Sequence, residues 1–100
     1  MGEEITIEQI RKVLRDQLPI ISERYQVESM GLFGSYVRHQ QGTGSDLDVL
    51  VVFKEAPSLL EFIELENYPS DLMGIKVDLV MKDALKPNIG RRILREVVAV

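Results

Sequence analysis

Apolar residues recur at helical spacing near the start of the chain and predict an amphipathic helix. Charged side chains take the opposite face. The apolar stripe comprises Ile7, Ile10, Leu14, Leu18 and Ile21. Residues 6–9 have the form of a capping box, so we expect the helix to begin there. Pro19 lies inside the pattern, and its missing N–H predicts a kink or a restart at that point.

Three runs of apolar and β-branched residues have the length and composition of strands. They span residues 27–33, 47–53 and 76–81. Alternation along the third run predicts that Asp78 and Val80 share one face of a sheet. These runs are the expected strands of a sheet that carries acidic side chains.

Two further helices are expected in the second half of the chain. The first runs from Leu59 to about Glu66 and ends at Tyr68-Pro69, with a short helical piece at 70–74. The second begins at Pro87, a residue that suits the first position of a helix. Its apolar stripe, which we interpret as core, is Ile89, Ile93, Leu94, Val97 and Val98.

The order of these elements predicts the fold class. With a short helix at 35–40, the chain reads helix, strand, short helix, strand, helix, strand, helix. We expect an α+β (mixed α/β) fold in which a small mixed sheet of about three main strands is flanked by helices. Residues 1–100 would then form a single domain.

Composition limits the classes of function. A net charge of −4 argues against a long nucleic-acid partner, because such binding depends on Lys and Arg that neutralise phosphates. The chain has no cysteine, no signal-peptide pattern and no run long enough to span a membrane, so we expect a cytoplasmic protein. His39 is interpreted as surface loop. The basic residues Arg91, Arg92 and Arg95 are interpreted as a solvated face, with phosphate or an acidic partner as the alternative.

The segment from Gly34 to Asp48 carries the candidate chemistry. Gly34-Ser35 ends the first strand run and offers backbone N–H groups and a hydroxyl to an anion. Arg38 follows three residues after Ser35, where it can approach the same anion; a surface ion pair is its alternative. The spacing predicts a phosphate-binding turn.

Two acids open the second strand run. Asp46 and Asp48 are two residues apart, so on a strand their side chains share a face. Carboxylates held together repel each other unless a cation lies between them, and oxygen ligands of this kind suit Mg²⁺ or Mn²⁺. Beside a phosphate-binding turn, the pair predicts metal-assisted phosphoryl chemistry. We favour Asp78 as a third acid over Asp71 or Asp83, which lie in turn or cap contexts.

These residues resemble a known family. Gly34-Ser35, Arg38 and the stretch 45–48 are similar to the signature of the DNA polymerase β-like nucleotidyltransferases, specifically the minimal members known as MNT or MntA-type antitoxins. The resemblance extends through residues 77–80 to 93–96. His39 departs from the pattern, since relatives often carry glycine there.

The resemblance implies a nucleotidyltransferase fold and a mechanism. Asp46, Asp48 and Asp78 would hold two Mg²⁺ ions about 4 Å apart. The triphosphate of ATP would be bound by Gly34, Ser35, Arg38 and Ser45. AMP would pass to a hydroxyl, and Asp78 would serve the acceptor side. The implied acceptor is a tyrosine of a HEPN-domain toxin ribonuclease, with which the protein would form a hetero-oligomer.

Two other functions compete with this interpretation. An antitoxin could neutralise its partner by binding alone, with a vestigial site; the presence of all three acids argues against that. Nucleotidyl transfer to a small molecule such as an aminoglycoside is weakened by the lack of room for a substrate domain.

Overall fold

The computed structural model describes residues 5–40, 42 and 45–100. Its elements, in chain order, are α1 (Ile7–Tyr25), β1 (Val27–Phe33), β2 (Leu47–Phe53), α2 (Leu59–Met73), β3 (Val77–Met81), α3 (Pro87–Glu96) and β4 (Val98–Ala99). A 3₁₀ turn, Lys82–Ala84, links β3 to α3. Among the described helices, none has both the length and the apolar character needed to cross a bilayer.

The strands form one mixed sheet in the order β3-β2-β1-β4. β1 is antiparallel to both β2 and β4, whereas β2 and β3 run parallel. The predicted α+β class and the mixed sheet are therefore confirmed. The positions of the three main strands are also confirmed to within one residue.

Alternation along the strands divides the side chains between two faces of the sheet. The larger core lies under α1 and α2 and includes Leu32, Val49, Leu65 and Leu79. The opposite face packs a smaller cluster of Phe33, Leu50 and Ile93 below α3. By the same alternation, Asp48 and Asp78 project on the α3 side of the sheet.

Both internal prolines are accommodated without a break in their helices. α1 begins with the expected capping box of Thr6 and Gln9 and continues through Pro19, so the expected restart is wrong. Pro19 is exposed, which leaves the carbonyl that lost its partner within reach of water. α2 likewise continues through Pro69, and the predicted end at Tyr68-Pro69 is wrong. The side chain of Pro69 is fully buried, and this packing offsets the lost hydrogen bond.

The end of the chain differs most from the expectation. α3 ends at Glu96, and Val98–Ala99 forms a short strand against Gly31 and Leu32. A Cβ on Gly31 would lie 2.5 Å from Cγ2 of Val97, so the glycine allows the terminal segment to approach β1 closely. The interpretation of the whole apolar stripe as core is wrong, because Ile89 is 54% exposed and Leu94 48% exposed.

Residues 35–39 form hydrogen-bonded turns rather than the predicted short helix. The Arg38 amide donates to the Gly34 carbonyl at 3.1 Å, and the Gln40 amide to the Ser35 carbonyl at 2.8 Å. His39 is exposed and adopts a left-handed φ of 56°, a conformation that suits glycine. The surface position expected for His39 is confirmed.

Candidate active site

Gly34 turns the chain at the end of β1, directly beside Asp48. Its φ is 83°, in the left-handed region that favours glycine. A Cβ at this position would lie 2.9 Å from Cγ of Asp48 and closer still to a carboxylate oxygen. Antiparallel pairing of Phe33 with Asp48 produces this approach. The glycine therefore provides the space that the Asp48 carboxylate occupies.

Asp46 and Asp48 flank Leu47, which is fully buried and anchors the start of β2. Both aspartates are half-buried. Burial raises the pKa of Asp48, and the negative charges of Asp78 and Asp46 raise it further, while Arg38 acts in the opposite direction. The structure thus brings the three predicted acids into one electrostatic cluster.

Asp78 enters this cluster from the neighbouring strand. It is the register partner of Asp48 across the parallel pair of β2 and β3, and it is the most exposed of the three acids. Asp78, rather than Asp71 or Asp83, is the acid whose charge raises the pKa of Asp48. The position expected for the third acid therefore agrees with the fold.

A fourth acid, Glu96 at the end of α3, closes the other side of the turn. The Gly34 amide donates to Oε2 of Glu96 at 2.9 Å. Nη1 of Arg38 lies 2.9 Å and 3.1 Å from the two carboxylate oxygens of Glu96. Burial alone would raise the pKa of Glu96, but the Gly34 hydrogen bond and the Arg38 guanidinium outweigh it and lower the pKa. Two groups predicted to bind phosphate thus bind a carboxylate of the same chain.

Sequence reasoning missed Glu96 because the residue lies 62 positions after Gly34. One local signal could have drawn attention to it. A negative charge in the last turn of a helix opposes the helix dipole, so its position requires a partner from elsewhere in the fold.

Ser35 and Ser45 are the remaining predicted phosphate ligands. Ser35 is half-buried, and its backbone carbonyl accepts the hydrogen bond from Gln40. The Ser45 hydroxyl accepts a hydrogen bond from the Gly42 amide at 2.8 Å, which shapes the loop just before Asp46. Between Gln40 and Ser45, only Gly42 is among the described residues.

The donor set suits a hard divalent cation in its chemistry. Carboxylate oxygens are the ligands that Mg²⁺ prefers, and a cation would relieve the repulsion that raises the pKa of Asp48. Within the described ranges, no three acidic or histidine side chains are close enough to form a ready ligand set. Metal binding at these acids would therefore need their carboxylates to move closer together.

Comparison with known proteins identifies the family. Residues 7–100 match the nucleotidyltransferase domain. The chain belongs to the nucleotidyltransferase family. The protein adenylyltransferase MntA of Thermococcus cleftensis is 50% identical to this nucleotidyltransferase over 96 residues, which cover 96% of this chain and 97% of the relative. The resemblance to the minimal, MntA-type members is confirmed.

Solved structures share the fold of this nucleotidyltransferase. One, described as a candidate minimal nucleotidyltransferase, has a TM-score of 0.82 and 30% identity and covers 99% of this chain and 100% of the other. A toxin–antitoxin complex with AMP-PNP has a TM-score of 0.68 at 24% identity, over 92% and 69% of the two chains. A complex of the tri-AMPylated Shewanella oneidensis HEPN toxin with its MNT antitoxin has a TM-score of 0.59 at 22% identity, over 92% and 66%.

Proposed function

We propose that this nucleotidyltransferase transfers AMP from ATP to a tyrosine hydroxyl of a HEPN-domain toxin and thereby acts as its antitoxin. The observation that carries the proposal is the position of Asp48, which lies against the Gly34 turn, pairs in register with Asp78 and is acted on by the charges of Asp78 and Asp46. The similarity to a protein adenylyltransferase over almost the whole chain supports protein as the acceptor. The toxin–antitoxin complexes that share the fold support a HEPN partner and an adenine nucleotide.

The proposed roles follow the positions of the side chains. Asp46 and Asp48, half-buried at the start of β2, would hold Mg²⁺, with Asp78 as a further ligand. When bound, Mg²⁺ would neutralise phosphate charge and lower the pKa of the acceptor hydroxyl. Asp78, the most exposed of the acids, faces the acceptor and takes its proton. The tyrosine oxygen then forms a bond to the α-phosphorus, and the bond from that phosphorus to pyrophosphate breaks.

The phosphates are assigned to the glycine turn. Ser35 follows Gly34 directly, and the Arg38 amide donates to the Gly34 carbonyl. Arg38 would carry the positive charge that offsets the triphosphate. Ser45, just before Asp46, is proposed as a further nucleotide ligand. Residues 1–100 would act as one domain that binds ATP, while the partner protein supplies the acceptor in a hetero-oligomer.

Intact mass spectrometry tests the proposal. This protein is incubated with ATP, Mg²⁺ and its HEPN-domain partner, and both proteins are weighed. We expect the partner to gain one or more adenylyl groups, and to gain none when Asp46→Asn and Asp48→Asn are combined. The modified partner should stay inactive after the two proteins are separated.

The competing function is neutralisation by binding alone. It predicts that the partner is silenced only while it is bound, that its mass does not change, and that the double aspartate variant neutralises as well as the native protein. That result would contradict the enzymatic proposal.

A further inference from the structure

Glu96 occupies the anion-binding groups of the site. Its carboxylate accepts from the Gly34 amide at 2.9 Å and pairs with the Arg38 guanidinium at 2.9 Å. Glu96 stands at the last position of α3, where the helix dipole disfavours a negative charge. The helix dipole therefore disfavours the ionised Glu96 carboxylate at this position, and its contacts with Gly34 and Arg38 come from the tertiary structure.

The same groups are the ones that a nucleotide phosphate would use. Carboxylate and phosphate oxygens both accept hydrogen bonds from backbone N–H groups at turns and from the arginine fork. An N–H that donates to Glu96 is not available to a phosphate oxygen in the same direction. Glu96 and a triphosphate bound at the Gly34 turn therefore exclude each other.

We infer that Glu96 is an internal competitor of the nucleotide: it binds Gly34 and Arg38 in the free protein and leaves them when the triphosphate binds. This inference rests on the proposed function, because it assigns the triphosphate to the same turn. Glu96 would act as an affinity-determining residue. If the contact of Glu96 with Gly34 and Arg38 is present in about nine-tenths of the free protein, the apparent affinity for the nucleotide is about tenfold weaker.

Competition also changes the charge of the site when nucleotide arrives. The negative charge of Glu96 is among those that raise the pKa of Asp48, so the free site contains four acids and Arg38. When Glu96 moves away from the turn, the site loses one negative charge. The triphosphate then pairs with Arg38 in place of Glu96. Glu96 therefore limits binding without taking part in the chemical step.

Glu96→Gln tests the inference, because glutamine keeps the size of the side chain but not the charge that pairs with Arg38. Calorimetric titration with MgATP, and separately with Mg²⁺ and inorganic triphosphate, should show three- to tenfold tighter binding than the native protein. The matched control is Glu23→Gln, which changes the net charge equally on the exposed surface of α1. Glu23 precedes β1, whereas Gly34 follows it, so the two lie roughly 20 Å apart. The control should bind within twofold of the native protein.

Glu96→Asp tests whether the side chain must contact Gly34 and Arg38 directly or whether its negative charge alone weakens nucleotide binding. Aspartate keeps the charge but is too short to reach both Gly34 and Arg38, so we expect an affinity between those of the native protein and Glu96→Gln. Native affinity in Glu96→Asp would show that only the charge matters and would overturn the inference. Damage to the fold weakens binding, so tighter binding cannot arise from a merely structural role of Glu96.

The titrations distinguish failure of the Glu96 inference from failure of the proposed function. If the native protein binds both probes and Glu96→Gln binds them equally or more weakly, Glu96 is a positioning residue and the competitor role is wrong. If the native protein binds neither probe, the proposed function fails, and the inference fails with it.

Discussion

Asp48 is the acid of the site whose ionisation is opposed both by burial and by neighbouring negative charges. Burial and the charges of Asp78 and Asp46 all raise its pKa, and Arg38 opposes them. Arg38 is itself paired with Glu96, which adds a further negative charge nearby. Without a cation, the folded protein therefore tolerates an ionised Asp48 at a cost in stability.

We predict that Asp48→Asn is slightly more stable than the native protein in the absence of metal and loses nucleotide transfer. The free energy of unfolding should rise by up to about 1 kcal/mol, with allowance for solvent screening of a half-exposed group. Denaturant unfolding in EDTA measures this gain. Asp16→Asn, an exposed acid of α1, is the control and should change stability by less than about 0.5 kcal/mol.

The pH dependence of this gain has a definite sign. The folded pKa of Asp48 lies above its ordinary value of 3.8, so the unfolded chain ionises this group first. Below the ordinary value the group is protonated in both states and Asp48→Asn should show no electrostatic gain. The gain should grow as the pH rises from 3.8 to the raised folded pKa, and it should level off above that pKa, where the group is ionised in both states. A gain that shrinks over this range would contradict the burial and repulsion assigned to Asp48.

β3, the strand that carries Asp78, lies at the edge of the sheet. The backbone groups on its open side therefore need hydrogen-bond partners from outside the sheet. Within the described part of the chain, β2 is the one sheet neighbour of β3. The Leu79 amide, one residue after Asp78, donates to Oε2 of Glu66 on α2 at 3.0 Å. This contact satisfies a backbone group that an edge strand would otherwise leave open. α2 thus helps to hold the strand on which the third acid lies.

We expect Glu66→Ala to destabilise the protein by about 1–2 kcal/mol, because it leaves the partly buried Leu79 amide without an acceptor. Transfer activity should also fall, since β3 positions Asp78. Glu66→Gln keeps an acceptor at the same reach and should recover most of both losses. Thermal unfolding and the mass assay report the two quantities. Equal stability of the alanine and glutamine variants would mean that the hydrogen bond contributes nothing.

The whole molecule is asymmetric across its sheet. α1 and α2 cover one face with the larger core, while the other face has the smaller cluster under α3 together with the acids of the site. Asp78 is exposed on that thinner side, and so are Ile89 and Leu94 of α3. This arrangement leaves the acceptor side of the proposed site open to a loop of another protein.

Ligand binding at the acid cluster should stabilise the whole domain. At a free MgATP concentration one hundred times the dissociation constant, linkage adds about 2.7 kcal/mol. For a chain of this length that corresponds to a rise in melting temperature on the order of 10 °C. Asp46→Asn combined with Asp48→Asn should abolish the rise, while Asp16→Asn should keep it. A rise that persists in the double variant, or in the native protein with EDTA, would place nucleotide binding elsewhere.

The sequence by itself determined most of the local elements and where the candidate acids lie along them. Three apolar runs became the main strands, the capping box at residues 6–9 began α1, and Pro87 began α3. Alternation within each run predicted that Asp46 shares a face with Asp48 and that Asp78 shares one with Val80. These features depend on residues close together in the chain, where periodicity and turn chemistry decide the conformation.

Only the tertiary structure decided the features that depend on distant residues. Burial of the Pro69 side chain outweighs its helix-breaking tendency, and Gly31 lets the chain end return as β4 instead of extending α3. Glu96 meets Arg38 across 58 positions and fills the turn whose amide was expected to be open. A sequence pattern shows which groups can bind an anion, but packing of α3 against the sheet decides which anion is already there.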